Sequence, residues 1–432
     1  MWQVLFHIPI FKDRFPPDGI PIHGFGVMLF VTFLVCVWVL GRLAMKWGTR
    51  LPKERVQDLV IVVFLSGLVG ARITYMIQYR VPFSQFVRIW EGGIVLYGGI
   101  ITGMLAFLLF YRWVLKPAGV SMWKLADASA PALALGIALG RVGCFLNGCC
   151  YGHIADEGAP AIGFPLLTCP ARDVVVDRQG YQTPTGFTVR SGDDDIRSVV
   201  DRVEPESAAE KAGLRPGDKI VGVNGQPNVG VLLVSGPDAA LEAASRIARE
   251  QGATVTEEDA GAGGKHVKIV VEDSARFHSL NVTLKSQLLL AARVLSEDTF
   301  SNLINAWPRG RQELELEVDR AGQRLTVGPF IPRTLGLHPT QVYESISMLL
   351  LAAFLVFYYP FRHHDGQVIT LFIFCYAIHR FLNESLRNDT EIVGIPQLRM
   401  TLSQNISILM ILFAIGLEVG LRAWNRRKTR LA

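Results

Sequence analysis

The fold is decided by apolar runs such as GFGVMLFVTFLVCVWVLGRLA, residues 24–44, in which 21 consecutive residues carry a single charge, Arg42. A helix needs about 20 apolar residues to cross the hydrocarbon core of a bilayer. The run lacks the polar face that a surface helix of a soluble domain presents to water. The chain of 432 residues agrees, because 50% of it is hydrophobic and its mean hydropathy is +0.31. We therefore expect a membrane protein.

Seven stretches are long and apolar enough to be membrane spans. They are 24–44, 58–78, 92–112, 126–143, 342–359, 368–384 and 400–422. Between the fourth and the fifth, charged residues and glycines become frequent and no span fits. We predict an all-α polytopic membrane protein with seven transmembrane helices and an inserted extracytoplasmic α+β domain. The predicted domains are 1–164, the insert 165–335, and 336–432.

Basic residues indicate the orientation. Clusters follow the first, third, fifth and seventh spans, at 42–55, 112–124, 362–364 and 422–430. All four basic clusters lie on one side of the membrane if successive spans cross it in opposite directions. By the positive-inside rule, that side is the cytoplasm. We predict an extracytoplasmic N-terminus and insert, and a cytoplasmic C-terminus. The first residues lack a signal-peptide pattern, so the first span is expected to direct insertion. The charges flank spans rather than form one stripe, which argues against a nucleic-acid partner.

The insert contains a strand, helix, turn and strand in SVVDRVEPESAAEKAGLRPGDKIVGVNGQP, residues 198–227. Its Pro-Gly-Asp run is typical of a turn, and Asn224-Gly225 of a tight hairpin. This stretch resembles a PDZ domain of the bacterial envelope-protease type. The resemblance implies closing strands in 311–327 and, at 185–189, a loop that binds a peptide carboxylate. The predicted unit comprises about 185–227 and 300–328, with a nested segment at 228–299. A spacer with a vestigial groove is the alternative.

Ionisable residues recur inside or beside the predicted spans. Arg141 lies in GRVGCFLNGCCYG, residues 140–152, at the end of the fourth span. Arg380, Glu384 and Arg387 lie on one helical face at the end of the sixth. Arg72, Glu91 and Asp127 are further examples. A snorkelling arginine is the ordinary alternative for Arg141 alone. Several ionisable residues near one membrane face instead indicate a substrate path. The guanidinium group of arginine can donate two parallel hydrogen bonds, which suits the phosphate of an anionic lipid.

With the stretch 140–152, the chain resembles the bacterial prolipoprotein diacylglyceryl transferase family, whose signature reads roughly G-R-x-G-N-F-x-N-x-E-x-x-G. The matching positions are Arg141, Gly143, Phe145, Asn147 and Gly152. Cys144 and Cys149 stand where the familiar form has Asn and Glu, which indicates a cysteine-bearing subtype.

Four further motifs of the family occur in the right order. They are PIHGFGVML (21–29), WEGGIVLYGG (90–99), HPTQVYES (338–345) and HRFLNESLRND (379–389). Phe25 replaces a tyrosine in the first, and Tyr97 stands in the histidine place of the second. The resemblance covers about 20–155 and 336–422 and leaves out the insert.

The resemblance implies transfer of a diacylglyceryl group from phosphatidylglycerol to the lipobox cysteine thiol of a lipoprotein precursor, at the bacterial inner membrane, with release of glycerol phosphate. It implies neither a metal nor a soluble cofactor. By the resemblance, Arg141 and Arg380 would hold the lipid phosphate, Glu384 would orient Arg380, and Asn147 would bind the head group or shape the loop. Further candidates are Arg72, Asp127 and Arg387. Gly143, Gly148 and Gly152 would let the backbone approach the lipid.

The resemblance does not identify the general base that deprotonates the substrate thiol. Histidine at the place of Tyr97 would be a natural base, whereas a phenol of pKa about 10 is a poorer one. Either an arginine activates Tyr97, or the arginines alone lower the pKa of the substrate thiol. We predict that Tyr97 contributes to catalysis.

Cys144, Cys149, Cys150 and Cys169 have three interpretations. A zinc site with His153 lacks the usual Cys-x-x-Cys pair, and so does a redox dithiol. A structural disulfide that joins Cys149 or Cys150 to Cys144 or Cys169 is favoured, while a covalent cysteine intermediate is not required. For the whole chain, a PDZ-gated intramembrane protease would need a pattern such as His-Glu-x-x-His, which does not occur. A non-enzymatic envelope scaffold leaves Arg141 and Arg380 unexplained.

Overall fold

The computed structural model describes residues 2–10, 19–49, 53–82, 86, 95–191, 196–259, 265–288, 291–308, 310–387 and 400–431. The chain forms two compact units. We call Trp2–Ala161 together with His338–Ala432 the membrane unit, and Ile162–Leu337 the insert unit. The insert was expected at 165–335, close to the second of these.

The elements follow in chain order. The first part of the membrane unit contains β1 Val4–Ile8, β2 Ile20–His23, α1 Gly24–Lys46, α2 Lys53–Tyr79, α3 Leu96–Phe110 and α4 Met122–Asn147. The insert unit contains β3 Phe187–Ser191, β4 Ser198–Val203, α5 Ala208–Lys211, β5 Lys219–Val223, β6 Gln226–Pro227, β7 Gly230–Ser235, α6 Asp238–Glu250, β8 Thr254–Asp259, β9 Lys265–Val271, α7 Ser274–Gln287, β10 Arg293–Asp298, α8 Thr299–Asn305, β11 Leu314–Arg320 and β12 Gln323–Phe330. The chain ends with α9 Thr340–Tyr358, α10 Gln367–Ser385 and α11 Leu402–Leu431.

Within the described residues, six helices are long and apolar enough to cross a membrane. They span 24–46, 54–79, 97–115, 122–147, 340–361 and 402–427. The predicted count of seven spans is therefore not confirmed. The remaining stretch, predicted at 368–384, does form the helix α10, but polar residues such as His379, Arg380 and Asn383 lower its hydropathy. Residues 92–94, the start of the predicted third span, lie outside the described part.

The helices of the membrane unit pack side by side. Neighbouring pairs are α1 with α4, α2 with α3, α4 with α9, and α10 with α9 and α11. Large apolar side chains cover the outer faces, including Phe30, Leu34, Trp38, Ile101, Leu350, Phe357, Leu409 and Phe413. Water would disfavour so many exposed apolar groups, whereas lipid tails solvate them. The unit is an α-helical bundle suited to a bilayer.

Glycines allow α2 and α3 to approach closely. A Cβ added at Gly98 would lie 2.0 Å from Thr74 Oγ1, and one at Gly70 would lie 2.0 Å from Thr102 Oγ1. Small residues that let two backbones meet are a common device of membrane helices. Val95 N–H also donates to Ala71 O at 3.1 Å. The start of α3, with Tyr97, is thereby fixed beside the part of α2 that carries Arg72.

The insert unit holds two antiparallel sheets. One has the order β12-β11-β5-β4-β3 with β6 beside β5. The hairpin turns at Asn224-Gly225 and Ala321-Gly322 adopt positive φ, as the sequence predicts for Asn224-Gly225. The other has the order β10-β7-β9-β8 with α6 and α7 packed on it, which is a βαββαβ arrangement of the ferredoxin-like type. This second sheet accounts for the predicted nested segment.

Asp298 and Asn228 join the two sheets of the insert unit where the chain crosses between them. Asp298 accepts hydrogen bonds from Ser198 N–H at 2.7 Å and from the Asn228 side chain at 2.8 Å. Asn228 in turn accepts Phe300 N–H at 2.9 Å. These buried bonds fix α8 against the first sheet at the point where the nested segment rejoins it.

Candidate functional site

A buried carboxylate, Glu344 in the first turns of α9, joins two arginines from other helices. Arg141, in the last turns of α4, places Nε 2.9 Å from Glu344 Oε2. Arg380, in α10, places Nη1 3.7 Å from the same oxygen, and Asn383 Nδ2 donates to it at 3.0 Å. The structure thus brings the two predicted phosphate-binding arginines together. We call the bundle end that carries them the arginine end.

Glu384 holds the other side of Arg380. Its Oε2 lies 2.6 Å from Arg380 Nη2 and 3.6 Å from Arg387 Nη1. Thr401 Oγ1 donates to Glu384 Oε1 at 3.2 Å, and Arg380 Nη2 also donates to Ser403 Oγ at 3.0 Å. The sequence predicted the contact between Glu384 and Arg380. It did not indicate the two hydroxyl groups at the start of α11 that complete the cluster.

Among the described residues, the cluster has more positive than negative side chains and one buried donor without a partner. Three arginines face two carboxylates whose side chains are each 1% exposed. Arg380 Nη1 and Glu344 Oε1 are buried without a hydrogen-bond partner among the described residues. Arg141 contacts Glu344 through Nε, which leaves its fork of terminal amino groups for another acceptor. Buried donors without partners are costly, so the arrangement favours a bound anion.

The signature loop after α4 is fixed by the first residues of α9. Gly148 ends α4 in the left-handed conformation, with φ of 72°. Gln341 Nε2 donates to Cys149 O at 2.6 Å, and Thr340 Oγ1 donates to Cys150 O at 2.6 Å. The HPTQVYES stretch therefore supplies both the carboxylate of Glu344 and the side chains that hold the loop.

Gly152 lies where the loop passes between α9 and α10. Its N–H donates to His338 O at 2.8 Å, and an added Cβ would lie 2.7 Å from Leu386 O. Gly143 similarly faces Phe25, whose ring would lie 3.1 Å from an added Cβ. We expected these glycines to let backbone approach a lipid. The structure shows that Gly143 and Gly152 let protein segments approach one another, which positions Arg141 and Arg387.

Asn147 shapes the loop from within. Its side chain hydrogen-bonds to Cys149, and its carbonyl accepts a bond from Gln3 Nε2 at 3.0 Å. These contacts favour the loop-shaping alternative for Asn147 over direct binding of a head group.

Tyr97 and Arg72 lie at the same bundle end as Glu344. Tyr97 lies in the first turn of α3 and is 40% exposed. Arg72 is 3% exposed, donates Nε to Phe86 O at 3.3 Å, and lies 5.4 Å from the centre of the Tyr75 ring. Glu91 and the rest of 87–94 lie outside the described residues. Tyr97 is thus accessible, and Arg72 links α2 to Phe86 beyond the end of that helix.

Asp127 does not join the cluster. It lies 14 residues before Arg141 on α4, about 21 Å away at the rise of an α-helix. Its carboxylate accepts N–H groups of Gly366 at 2.8 Å and of Val368 and Ile369 at 3.0 Å each, with Arg362 3.8 Å away. A carboxylate at a helix N-terminus satisfies donors that the helix leaves unpaired. Asp127 therefore caps the N-terminus of α10.

Replacement of Asp127 by alanine is expected to destabilise the protein by about 2–4 kcal/mol, because three buried N–H groups lose a charged acceptor. Thermal unfolding of the detergent-purified protein measures this. Asp58→Ala, which alters an exposed carboxylate in α2, is the matched control and should unfold at the wild-type temperature. Equal unfolding temperatures for both variants would contradict the capping role.

The sequence reasoning missed Glu344, Gln341, Thr340 and Asn383. A signal was available, since Glu344 is a carboxylate inside a predicted span, where a charge needs a partner. The HPTQVYES stretch supports the family resemblance as a motif, and the resemblance alone assigned no role to its individual residues. No local pattern identifies Asn383, because its partner Glu344 belongs to a different helix.

The cysteines do not form the disulfide that we favoured. All six lie in the described part of the chain, and none of them forms a disulfide there. Cys144, Cys149 and Cys150 bring their sulfur atoms within 4.8 Å of one another. Hydrogen bonds from the Cys144 and Cys149 thiols, and the charges of Arg387 and Arg141, lower the pKa of Cys150. Cys169 lies in the insert unit, where burial raises its pKa to about 12.

The fold and the cluster define a polytopic α-helical membrane protein with an arginine-rich site at one bundle end. The prolipoprotein diacylglyceryl transferase family matches residues 15–189 and 292–419, well over half of the chain. The chain belongs to this family. The PDZ domain family matches residues 173–235, within the insert unit.

Relatives with the same name occur in several bacteria. A phosphatidylglycerol–prolipoprotein diacylglyceryl transferase of Rhodopirellula baltica is 30% identical over 47% of this chain and 43% of its own length. Proteins of that name from Yersinia enterocolitica and Sodalis glossinidius are each 30% identical, over 36% and 34% of this chain and 54% and 51% of their own length. The chain therefore spans about half the length of these relatives.

Proposed function

We propose that this protein moves a diacylglyceryl group from phosphatidylglycerol to the lipobox cysteine thiol of lipoprotein precursors and releases glycerol phosphate. The observation that carries the proposal is the pair Arg141 and Arg380, which share Glu344 Oε2, while Arg380 Nη1 is buried without a hydrogen-bond partner among the described residues. Membership of the family and the names of the relatives support the same activity.

The chemistry is a displacement at the glyceryl carbon that bears the phosphate. The precursor thiol, as thiolate, attacks this carbon, and the C–O bond breaks toward the phosphate. Charge then accumulates on the departing phosphate, where the forks of Arg141 and Arg380 stabilise it. Arg387 and Glu384 hold Arg380 in place. The arginine end thus stabilises the leaving group rather than activating the lipid covalently.

Glu344 adds a binding role to its structural one. Its Oε1 is buried and accepts no hydrogen bond among the described residues, while Oε2 is shared by the arginines. The glycerol head group of phosphatidylglycerol carries hydroxyl donors beside the phosphate. In the proposal, Oε1 accepts one of these hydroxyls and favours this lipid over lipids that lack them.

We further propose seven spans in the bacterial inner membrane, with α10 as the sixth span in chain order. The arginine end is opposite the bundle end at which Arg112, Arg362 and Arg422 lie. By the positive-inside rule, the basic end and the C-terminus are cytoplasmic. The arginine end, the N-terminus and the insert are then extracytoplasmic. α10 packs between α9 and α11, so its polar face is shielded from lipid.

The activity is tested with the purified chain in phosphatidylglycerol vesicles and a synthetic lipobox peptide, with mass spectrometry of the peptide. The expected product carries diacylglyceryl on the cysteine sulfur. A peptide with serine at that position, and vesicles of phosphatidylethanolamine, are the matched controls and should give no product. Absence of product from the cysteine peptide in phosphatidylglycerol would overturn the proposal.

Tyr97→Phe is expected to lower kcat about tenfold, the effect of losing one hydrogen bond to a charged group, while leaving thermal stability unchanged. The hydroxyl of Tyr97 is accessible, so its removal creates no buried cavity. Tyr79→Phe, an exposed tyrosine at the end of α2, is the control. An unchanged kcat in Tyr97→Phe would remove Tyr97 from the mechanism.

For the insert we propose a peptide-binding groove between β3 and α8. β3 is the edge strand of its sheet, which leaves it open for addition of a peptide strand. The rings of Phe187 and Phe300 stack at 5.6 Å and connect the strand to the helix. Gly186, which precedes β3, has a φ of 85° and opens the predicted carboxylate loop. The ligand would be a precursor or a partner protein with an extended segment.

Deletion of residues 170–330 tests the role of the insert. We expect the deleted protein to lipidate a short lipobox peptide at the wild-type rate and full-length precursors more slowly, because the groove no longer retains them. A folded deletion variant that lipidates every precursor as wild type does would show that the insert is a spacer.

A further inference from the structure

Three thiols converge in the signature loop without an assigned role. Cys144 lies in the last turn of α4, and Cys149 and Cys150 follow the left-handed Gly148. All three sulfur atoms lie within 4.8 Å of one another, and those of Cys149 and Cys150 are 4.0 Å apart. Three thiolates on one tetrahedral zinc, with Zn–S bonds of about 2.3 Å, would place their sulfurs about 3.8 Å apart. The observed cluster is therefore close to a zinc tripod.

We propose that Cys144, Cys149 and Cys150 bind one Zn²⁺ and that its open fourth position takes the lipobox thiol of the precursor. Three protein ligands with one open position are the pattern of catalytic zinc sites. From the sequence, a zinc site was the less favoured interpretation of these cysteines, because no Cys-x-x-Cys pair occurs. A helix end followed by a glycine turn instead brings Cys144 to the two adjacent cysteines. The inference rests on the proposed function for the identity of the fourth ligand, but not for the metal itself.

The surroundings hold the tripod in place. Gln341 and Thr340 fix the carbonyls of Cys149 and Cys150 through hydrogen bonds of 2.6 Å each. Partners of this kind orient metal ligands and raise metal affinity. Zinc with three thiolates carries one net negative charge. Arg141 lies one helical turn before Cys144 on α4, and Arg387 pairs with Gly152, two residues after Cys150. Both positive charges offset the negative charge of the proposed site.

The proposed site supplies the deprotonation for which Tyr97 is a poor candidate. A free thiol has a pKa of about 8.5, whereas a thiol bound to zinc is deprotonated. The bound sulfur attacks the glyceryl carbon, the S–C bond forms, and the C–O bond breaks with its electron pair going to the phosphate oxygen. The proton that the thiol lost on binding ends on the released glycerol phosphate or in water. No oxidant or reductant is needed.

Arg141 would bring the lipid phosphate, which is the leaving group, close to the precursor thiol, which is the nucleophile. It lies three residues before Cys144, one helical turn away on the same face of α4. A phosphate held by Arg141 would thus lie beside the thiol at the fourth position of the zinc. The short separation between nucleophile and leaving group is what a displacement requires.

Metal analysis of the full chain, purified in detergent without chelators under reducing conditions, tests the site. We expect about one zinc per chain in the wild type and at least a tenfold loss in Cys144→Ser, Cys149→Ser and Cys150→Ser. Cys375→Ser, in α10, is the matched control and should keep its zinc. A wild type whose free thiols take up no added Zn²⁺, or a triple variant that retains it, overturns the proposal.

A second measurement does not depend on the folding of the variants. Co²⁺ exchanged into the wild-type protein should give the strong near-ultraviolet absorption of thiolate ligation, together with the visible bands of a tetrahedral site. Bound metal should also protect three thiols from an alkylating reagent until a chelator is added. Absence of both signatures in protein that holds stoichiometric metal would place the metal elsewhere and refute the tripod.

Chelation then separates this inference from the proposed function. Removal of zinc should lower transfer at pH 7 at least tenfold and shift the rise of rate with pH toward about 8.5, the range of a free thiol. Full transfer by metal-free protein would refute the inference and leave the proposed function standing. Zinc bound by the three cysteines without any transfer from phosphatidylglycerol would refute the proposed function and leave the metal site standing.

Discussion

Arg380→Ala is expected to lower kcat/KM for diacylglyceryl transfer by about 10³-fold, at the upper range for removal of one charged or polar group that stabilises a transition state. Arg380 has two tasks that alanine cannot perform. Its buried Nη1 faces the proposed phosphate, and its Nη2 neutralises Glu384 at 2.6 Å. Arg141→Ala should have a similar effect, because it contributes the second fork.

The conservative variant separates charge from geometry. Arg380→Lys keeps the charge but loses the planar fork that binds phosphate through two parallel bonds. We expect it to recover about tenfold of the lost activity and no more. Arg422→Ala is the matched control, since this arginine is exposed and pairs with Glu418 at the opposite bundle end. Arg380→Ala protein that is folded and fully active would exclude phosphate binding by this residue.

Glu344→Ala is expected to have the second largest effect. Removing one partner of a buried ion pair costs about 3–5 kcal/mol, because the remaining charge stays buried without compensation. Here Arg141, Arg380 and Asn383 all lose the same oxygen. We therefore expect a lower unfolding temperature and a loss of about 10²-fold in kcat, as two arginines lose their orientation.

Glu344→Gln is the informative comparison. Glutamine keeps an oxygen for Asn383 but not the charge, so stability should be partly restored while kcat stays well below that of the wild type. Glu418→Gln, which alters a paired helical carboxylate at the other bundle end, should retain kcat. The central place of Glu344 would be refuted if its alanine variant matched Glu418→Gln in both stability and rate.

The sequence predicted those features that depend on neighbouring residues. Long apolar runs predicted the helices, and turn residues such as Asn224-Gly225 predicted the hairpins of the insert. Arg141 and Arg380 could be identified as candidate site residues from the sequence, because a charge within a membrane span is costly unless it has a partner or a function. The contact of Arg380 with Glu384 followed from their spacing of four residues on one helix.

The remaining features depend on contacts between distant segments. Glu344 belongs to the site because α9 packs against α4 and α10, and no local pattern shows that packing. Asp127 was expected near the substrate because it is a charge in a span, yet it caps α10 at the opposite bundle end. Gly152 was expected to face lipid but lies against His338 and Leu386. In each case the residue type was informative, and its partner could only be found in three dimensions.

Measuring both products at once, in phosphatidylglycerol vesicles with a lipobox peptide, tests whether the two arginines act on the departing phosphate. We predict that thioether-linked diacylglyceryl peptide and glycerol phosphate appear in equal amounts with wild type, and that neither appears with folded Arg141→Ala or Arg380→Ala. Glycerol phosphate without lipidated peptide, or equal activity of the wild type and the arginine variants, would contradict it.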